Sequence, residues 1–330
     1  MTLAAFLSAG YENEATVWRA WLLRAIAGDP RDMQIMYAVD GARELPEREL
    51  DHLPGYANSR PVRVGNGAVG QHQSDVLGEV MSALEMARSG GRSDSADSWA
   101  LQKALVDNLC DYWEEPDNGI WEIRGPCRYF THSRVMVWVA FDRAVHAVET
   151  HGLEAPVERW RAARDKVREE VLARGYSEQR GSFVQHYDTD EVDASLLLLS
   201  AVGFVPGDDP RMLGTIRAVE DDLLRDGMVM RYRTEAGVDG LPGDEHPFIA
   251  CSFWLAAAYA RAGDLPKARA LMDRLVGLVN DVGLLAEEYD VTNQRMTGNF
   301  PQAFSHLALV GAAITLDRAS PAPDEGVSTL

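Results

Sequence analysis

The sequence of 330 residues is poor in cysteine and in positive charge. Its three cysteines, Cys110, Cys127 and Cys251, are an odd number with no CxxC pair, which argues against both a disulfide framework and a thiolate metal site. Lysine and arginine number 32 against 51 acidic residues, a net charge of -19, and no basic arm or stripe offsets this. That balance disfavours nucleic acid and anionic membrane as partners. No apolar run reaches membrane-spanning length, and the opening MTLAAFLSAGYENEA lacks a basic n-region and a small-residue cleavage site. A soluble, cytoplasmic protein is the expectation. Alternating β-branched runs are also nearly absent, so strands should be short and confined to connections.

Helical periodicity is abundant instead. About eleven segments carry apolar residues at three- and four-residue spacing, among them SRVMVWVAFDRAVHAVETHG and FIACSFWLAAAYARAGD. Trp138, Trp160 and Trp254 sit at such spacing and are expected in the core. Several segments stop at glycine, as helix C-termini often do. The connections alternate in length. Short ones fall near Gly10, at 89–97, 151–155, 203–208 and 263–264; long ones fall at 28–70, 114–131, 175–188, 226–247 and 281–298. Successive connections of an antiparallel helical array lie at opposite ends, so the five long ones should share one rim. This is the layout of an all-α toroid of α/α hairpins with a loop-built site. A helical-repeat solenoid is the competing reading, but no motif recurs at a fixed period. The polar stretch 319–330 reads as a disordered tail.

Pooling the long connections gathers Tyr37, Asn66, Trp121, Glu122, Arg124, His186, Asp188, Arg231, Asp244, Glu245, His246, Glu287, Glu288, Tyr289 and Asp290. Carboxylates, arginines and aromatics among glycines suit a carbohydrate site, where aromatic faces meet sugar rings and charged groups hydrogen-bond hydroxyls. Inverting hydrolysis of a glycosidic bond needs a protonated carboxyl on the leaving oxygen and an ionised one about 6.5–9.5 Å away, with water between. Glu122 is the better candidate acid, because Ile120 and Trp121 before it can desolvate the carboxyl and raise its pKa. An ion pair with Arg124 is its structural alternative. For Glu287 and Glu288 the alternative is an exposed carboxylate cluster, and adjacent residues should point differently. His186, Asp188 and His246 have no HExxH-type spacing for a metal. No GxSxG elbow or dinucleotide fingerprint is present.

The stretches QIMYAVDGARELPERELDHLPGYANSRPVRVGNGA, NGIWEIRGPCRYFTHSRVMVWVAFDRAV, MRYRTEAGVDGLPGDEHPFIACSFWLAAAYARAG, GLLAEEYD and GNFPQAFSHLALVGAA occur in this order. Together they resemble glycoside hydrolase family 15, the glucoamylase and bacterial trehalase-like family, along nearly the whole chain. The resemblance implies an (α/α)6 toroid over 1–318, an exo-acting, inverting α-glucoside hydrolase of glucoamylase type, or alternatively a trehalase. It implies Glu122 of the GIWE stretch as general acid and the first glutamate of AEEYD, Glu287, as general base. Trp121, Arg231, Tyr37, Glu288, Tyr289 and His246 are then expected to bind an α-glucoside oligosaccharide or trehalose, with no cofactor or metal. Family relatives carry an N-terminal sandwich domain, a first barrel helix and a WLRDA segment before the point where this sequence opens. The toroid is therefore expected to lack its first helix. That leaves a third reading, a weakly active or inactive carbohydrate-binding toroid that forms a homo-oligomer or takes a partner chain supplying the segment.

Overall fold

The computed structural model describes residues 1–92, 94–234 and 245–320. Ten α-helices run through the described residues: α1 (Thr2–Ser8), α2 (Glu12–Ala25), α3 (Asp75–Ser89), α4 (Ala96–Tyr112), α5 (Thr131–His151), α6 (Val157–Arg174), α7 (Pro210–Leu223), α8 (Ile249–Arg261), α9 (Leu265–Val276) and α10 (Ala303–Ala319). The fold class is all-α, as expected. Described strands are confined to four antiparallel hairpins of two or three residues a side, all within long connections. No described helix is long and apolar enough to cross a membrane. Of the expected tail, Ala319 closes α10 and Ser320 caps it, while 321–330 lie outside the described residues.

One helix fewer than expected traces to the segment before Gly203. There Asp193 accepts from both the backbone N–H and the hydroxyl of Ser195, at 3.1 and 2.6 Å. The turn tightens and Ala194–Leu198 forms a 3-10 helix. Elsewhere local chemistry sets the helix ends. Ser95 caps α4 by accepting from Ser98 N–H at 3.1 Å, Asp209 and Asp264 cap α7 and α9 ahead of a proline in the first turn, and Gly152 ends α5 in the left-handed conformation.

The described chain divides into two compact units, each built around one largely buried helix. In the unit Ala9–Leu172 that helix is α5, whose Val135, Val137, Val139, Ala140, Phe141 and Ala144 are fully buried. Trp160 of α6 is buried edge-on to Trp99 of α4 at 6.1 Å, and its indole N–H donates to Asp107 at 2.7 Å. Arg134 of α5 is also buried. It donates to Glu170 at 3.1 and 2.9 Å and to the Trp113 carbonyl, and lies 4.8 Å from the Trp113 ring centroid. The other unit joins Met1–Ser8 to the described residues from 173 onward, around α8, where Ile249, Ala250, Cys251 and Phe253 are fully buried. Trp254 of α8 meets Phe304 of α10 edge-on at 5.4 Å.

Within each unit the long connections find one another. The first and second meet where Asn118 N–H donates to the His72 carbonyl and Ser74 N–H to the buried Asp117 carboxylate, both at 2.9 Å. The third, fourth and fifth meet where Ala194 N–H donates to the Arg231 carbonyl at 2.8 Å, Tyr289 N–H to Pro247 at 3.0 Å, and Ile249 N–H to Glu287 at 3.0 Å.

Helices α3 and α5 pack so closely that a Cβ at Gly78 would stand 2.3 Å from the Met136 carbonyl oxygen. Gly78→Ala should therefore cost about 1–3 kcal/mol by overpacking, against the gain in helix propensity that alanine gives elsewhere. Urea unfolding of the two proteins measures the difference, and an unchanged or raised midpoint would contradict this contact.

Candidate active site

In the unit Ala9–Leu172, Glu122 stands on the connection between α4 and α5 with φ 55, a left-handed conformation that few residues other than glycine adopt. Such a backbone persists where its surroundings over-determine it. Here the Gln71 amide donates to the carbonyls of both Glu122 and Ile123, at 3.2 and 3.1 Å. The Asn118 amide also donates to the Ile123 carbonyl at 3.2 Å, and Glu122 N–H donates to Gly119 at 3.2 Å. Trp121 and Ile123 on either side are buried. These anchors turn the Glu122 side chain toward Asn66, whose amide donates to Oε2 at 3.1 Å. Asn66 is itself fixed, since its amide oxygen accepts Ala68 N–H at 2.8 Å. Arg124, the alternative partner read from sequence, instead reaches Glu47 at 3.2 Å.

Tyr37 belongs to the same unit and is engaged locally. Its hydroxyl accepts Gln34 N–H at 2.9 Å, and Arg43 lies 5.7 Å from its ring centroid.

The other unit carries the remaining candidates on the fourth and fifth connections. Glu288–Asp290 pairs antiparallel with Arg295–Thr297, and strand alternation sends neighbouring side chains to opposite faces. Glu287 turns to the chain beyond the hairpin: its Oε2 accepts Asn299 N–H and the Asn299 side-chain amide, both at 3.0 Å, while Oε1 has a longer contact of 3.4 Å with the Gln302 amide. Gly298 makes the approach possible, because a Cβ there would stand 2.8 Å from Glu287 Oε2. Glu288 lies instead among Arg231 and Glu245. Burial raises its pKa to about 7, the negative charges of Glu245 and Glu287 add to the rise, and Arg231 opposes it.

Arg231 donates through Nε to Glu245 at 3.1 Å and through Nη2 to the other carboxylate oxygen, a two-pronged pair. Its guanidinium stands 5.2 Å from the Tyr232 ring centroid and 5.5 Å from that of Phe248. Asp290 is buried and accepts Thr292 N–H, Asn293 N–H and the Asn293 amide at 3.1, 3.0 and 2.6 Å. The Asn293 bonds, side chain first, hold its carboxyl below the usual range. His246 Nε2 lies 4.0 Å from Asp290 Oδ2. Tyr289 is partly exposed and takes its place in the hairpin opposite Met296.

Arg231, Glu245 and Glu288 are thus brought together, with His246 beside Asp290 and Glu287 held separately by Asn299. The remaining members of the imagined metal set go to other partners: Asp188 lies 3.6 Å from Arg174, and His186 Nδ1 lies 2.7 Å from the Tyr187 carbonyl. Asp244, pooled with the rim from sequence, lies outside the described residues.

A model of glycosyl hydrolases family 15 matches residues 1–314. The chain belongs to this family. Family 15 relatives include a trehalase of Mycolicibacterium smegmatis, 42% identical over 90% of this chain and 44% of its own length. A trehalase of Thermoplasma volcanium is 37% identical over 96% of this chain and 50% of its own. This family 15 chain spans about half the length of the curated relatives it matches. Its fold is that of a solved glycosidase variant in complex with glucose, with a TM-score of 0.73 at 21% identity over 97% of this chain and 86% of that one.

Three side chains that position the candidate carboxylates in this family 15 chain were not singled out by sequence. Asn299 and Gln302 stand in GNFPQAFS, which carried family resemblance but no role. Gln71 had no signal, because it acts on backbone carbonyls some fifty positions away, at a separation of 51 and 52 residues.

Glu288 generates a pH prediction. Its pKa rises on folding from the carboxylate value of 4.5 to about 7, so the folded state binds more protons in that interval and loses stability as pH rises through it. Glu288→Gln should flatten the fall in denaturation midpoint between pH 5 and 7.5 relative to wild type, at about those pH values. Parallel slopes for the two proteins would contradict the assignment.

Proposed function

We propose that the chain carries the catalytic machinery of an inverting α-glucosidase that hydrolyses trehalose to glucose. The observation that carries this reading is 42% identity to a trehalase over 90% of the chain. A trehalase of Thermoplasma volcanium at 37% identity supports the same reading. These relatives shift the balance from the glucoamylase-type exo-hydrolase expected from sequence to its trehalase alternative.

In this reading Glu122 is the general acid. It protonates the glycosidic oxygen as the bond to the anomeric carbon breaks. Glu287 is the general base and takes a proton from the water that attacks the opposite face of that carbon, which inverts its configuration. The geometry around Glu287 suits the role. Asn299 holds Oε2 through two N–H donors, while among the described residues Oε1 has the longer Gln302 contact and keeps lone-pair directions for a water. Asn66 orients the Glu122 carboxyl in the same way. Trp121, Tyr37, Arg231, His246, Glu288 and Tyr289 would bind the two sugar rings, with Glu288 able to donate a hydrogen bond to a hydroxyl when protonated. The second reading, release of glucose from malto- or isomalto-oligosaccharides, uses the same two carboxyls.

Two experiments test this. Glu122→Gln and Glu287→Gln should each lower kcat on trehalose by about 10²–10⁴-fold, with KM changed far less. Wild-type turnover in either variant would remove that residue from the mechanism. A panel of trehalose, maltose and isomaltose, with the anomer of the released glucose followed by proton NMR, should give β-glucose as the inverted product. It should also show kcat/KM for trehalose at least about tenfold above the others. A preference for maltose would favour the glucoamylase-type reading. Binding without hydrolysis would favour a carbohydrate-binding domain that needs a partner chain.

A further inference from the structure

Glu85, His146 and His151 meet where the last turns of α3 and α5 lie side by side, in the unit Ala9–Leu172. The two helices run in the same direction, since Gly78 meets Met136 near their starts and Glu85 meets His146 and His151 near their ends. Glu85 Oε1 lies 3.5 Å from His146 Nε2 and 3.2 Å from His151 Nε2, and one ligand-type atom from each residue falls within 4.8 Å of the others. A tetrahedral ion with bonds of about 2.0–2.2 Å to nitrogen and oxygen sets its ligand atoms about 3.3–3.6 Å apart. Two of the three edges are already close to that length. The imidazole planes stand at 85° with centroids 5.9 Å apart, so the two rings approach the carboxylate oxygen from different directions.

The surroundings resemble those of a ligand set more than of a casual surface cluster. His146 Nδ1 lies 3.1 Å from Thr150 Oγ1, a partner that fixes the ring with Nε2 facing Glu85. Glu85 is buried; Arg88 holds its Oε2, and Ser89 Oγ donates to Oε1 at 3.0 Å. Arg88 in turn is shared with Asp94 and Gln102, so its charge is not directed at Glu85 alone. A cavity of about 250 Å³ opens beside Glu85 and His146, lined also by Asp142, Arg143, Glu149 and Arg164. Arg143 and Arg164 both lie against Asp142, at 2.5 and 3.8 Å. Water in this cavity can complete a coordination shell without meeting an uncompensated cation.

We propose that Glu85, His146 and His151 form a binding site for a divalent transition-metal cation of the zinc type. Two neutral imidazoles and one carboxylate are its protein ligands, and water fills the fourth position. The nitrogen donors select against magnesium and calcium, which take oxygen ligands. A bound ion clips the ends of α3 and α5 together and stabilises the folded unit. The site is independent of the candidate carboxylates Glu122 and Glu287 and of the reaction assigned to them.

The test uses the full chain without an affinity tag, stripped with a chelator and titrated with zinc chloride in a calorimeter at neutral pH. One equivalent should bind, with no displacement by millimolar magnesium. Zinc should also raise the thermal midpoint. His146→Ala/His151→Ala changes two partly exposed side chains, 48% and 27% accessible, so the variant should fold, which circular dichroism checks. It should bind zinc at least about 100-fold more weakly, beyond the loss expected from removing an outer-shell partner, and its midpoint should not respond to zinc. Glu85→Gln should also weaken zinc binding. Absence of stoichiometric binding to the wild type, or equal affinity in the folded double variant, would overturn the site.

Discussion

Long connections with little regular structure carry many backbone N–H and C=O groups, and each buried one needs a partner. In this chain the connections supply those partners to one another, and the rest of the candidate site follows from that exchange. Ala194 N–H to Arg231, Tyr289 N–H to Pro247 and Ile249 N–H to Glu287 tie three connections in one unit, while Asn118 to His72 and Ser74 to Asp117 tie two in the other. Two largely buried helices, α5 and α8, provide the rigid ground on which this happens. Side-chain amides then finish the work. Gln71 serves the Glu122 and Ile123 carbonyls, and Asn299 serves the Glu287 carboxylate.

The same exchange separates the environments of carboxyls that are close in sequence. Glu287 and Glu288 share a peptide bond but not a neighbourhood: one faces amide donors, and the other faces Glu245 in a half-buried setting relieved in part by Arg231. Burial and like charge push Glu288 into the neutral range, whereas Asp290 is drawn down by the Asn293 bonds. Acidic groups within four residues therefore offer different chemistry at one pH, which a polar site handling hydroxyls can use for both donating and accepting.

Much of this was legible in the sequence. Helical periodicity gave the all-α class, glycine marked several helix ends, and the alternation of connection lengths singled out the segments that hold the candidate carboxylates. The division of Glu287 from Glu288 was legible too, from the rule that adjacent residues point differently. The 3-10 helix at Ala194–Leu198 was hidden because a leucine run has helical period whether its hydrogen bonds close at three residues or four; Asp193 decides the matter through a contact that composition does not reveal. The Arg231–Glu245 pair was hidden for a different reason. Both residues were visible as rim candidates, but a pair 14 positions apart has no spacing rule. The His146, His151 and Glu85 cluster depends on two helices running in parallel, which only packing establishes.

The hairpin that divides the two glutamates has a consequence for how its gene can vary. Strand residues alternate faces with a period of two, so a slip of one residue exchanges every side chain between faces. A single-codon deletion within Leu284–Ala286 would leave the glutamates, the tyrosine and the aspartate in the same order. If the chain before the deletion kept its place, Glu288 would move into the position now held by Glu287, on the other face, and Tyr289 would take the position opposite Thr297. A protein with that deletion would have lost no acidic residue and would still contain AEEYD or a close variant of it. Its carboxylates would nevertheless be in the wrong order for the partners that wait at Asn299 and Arg231, a defect invisible to any comparison that counts matching letters.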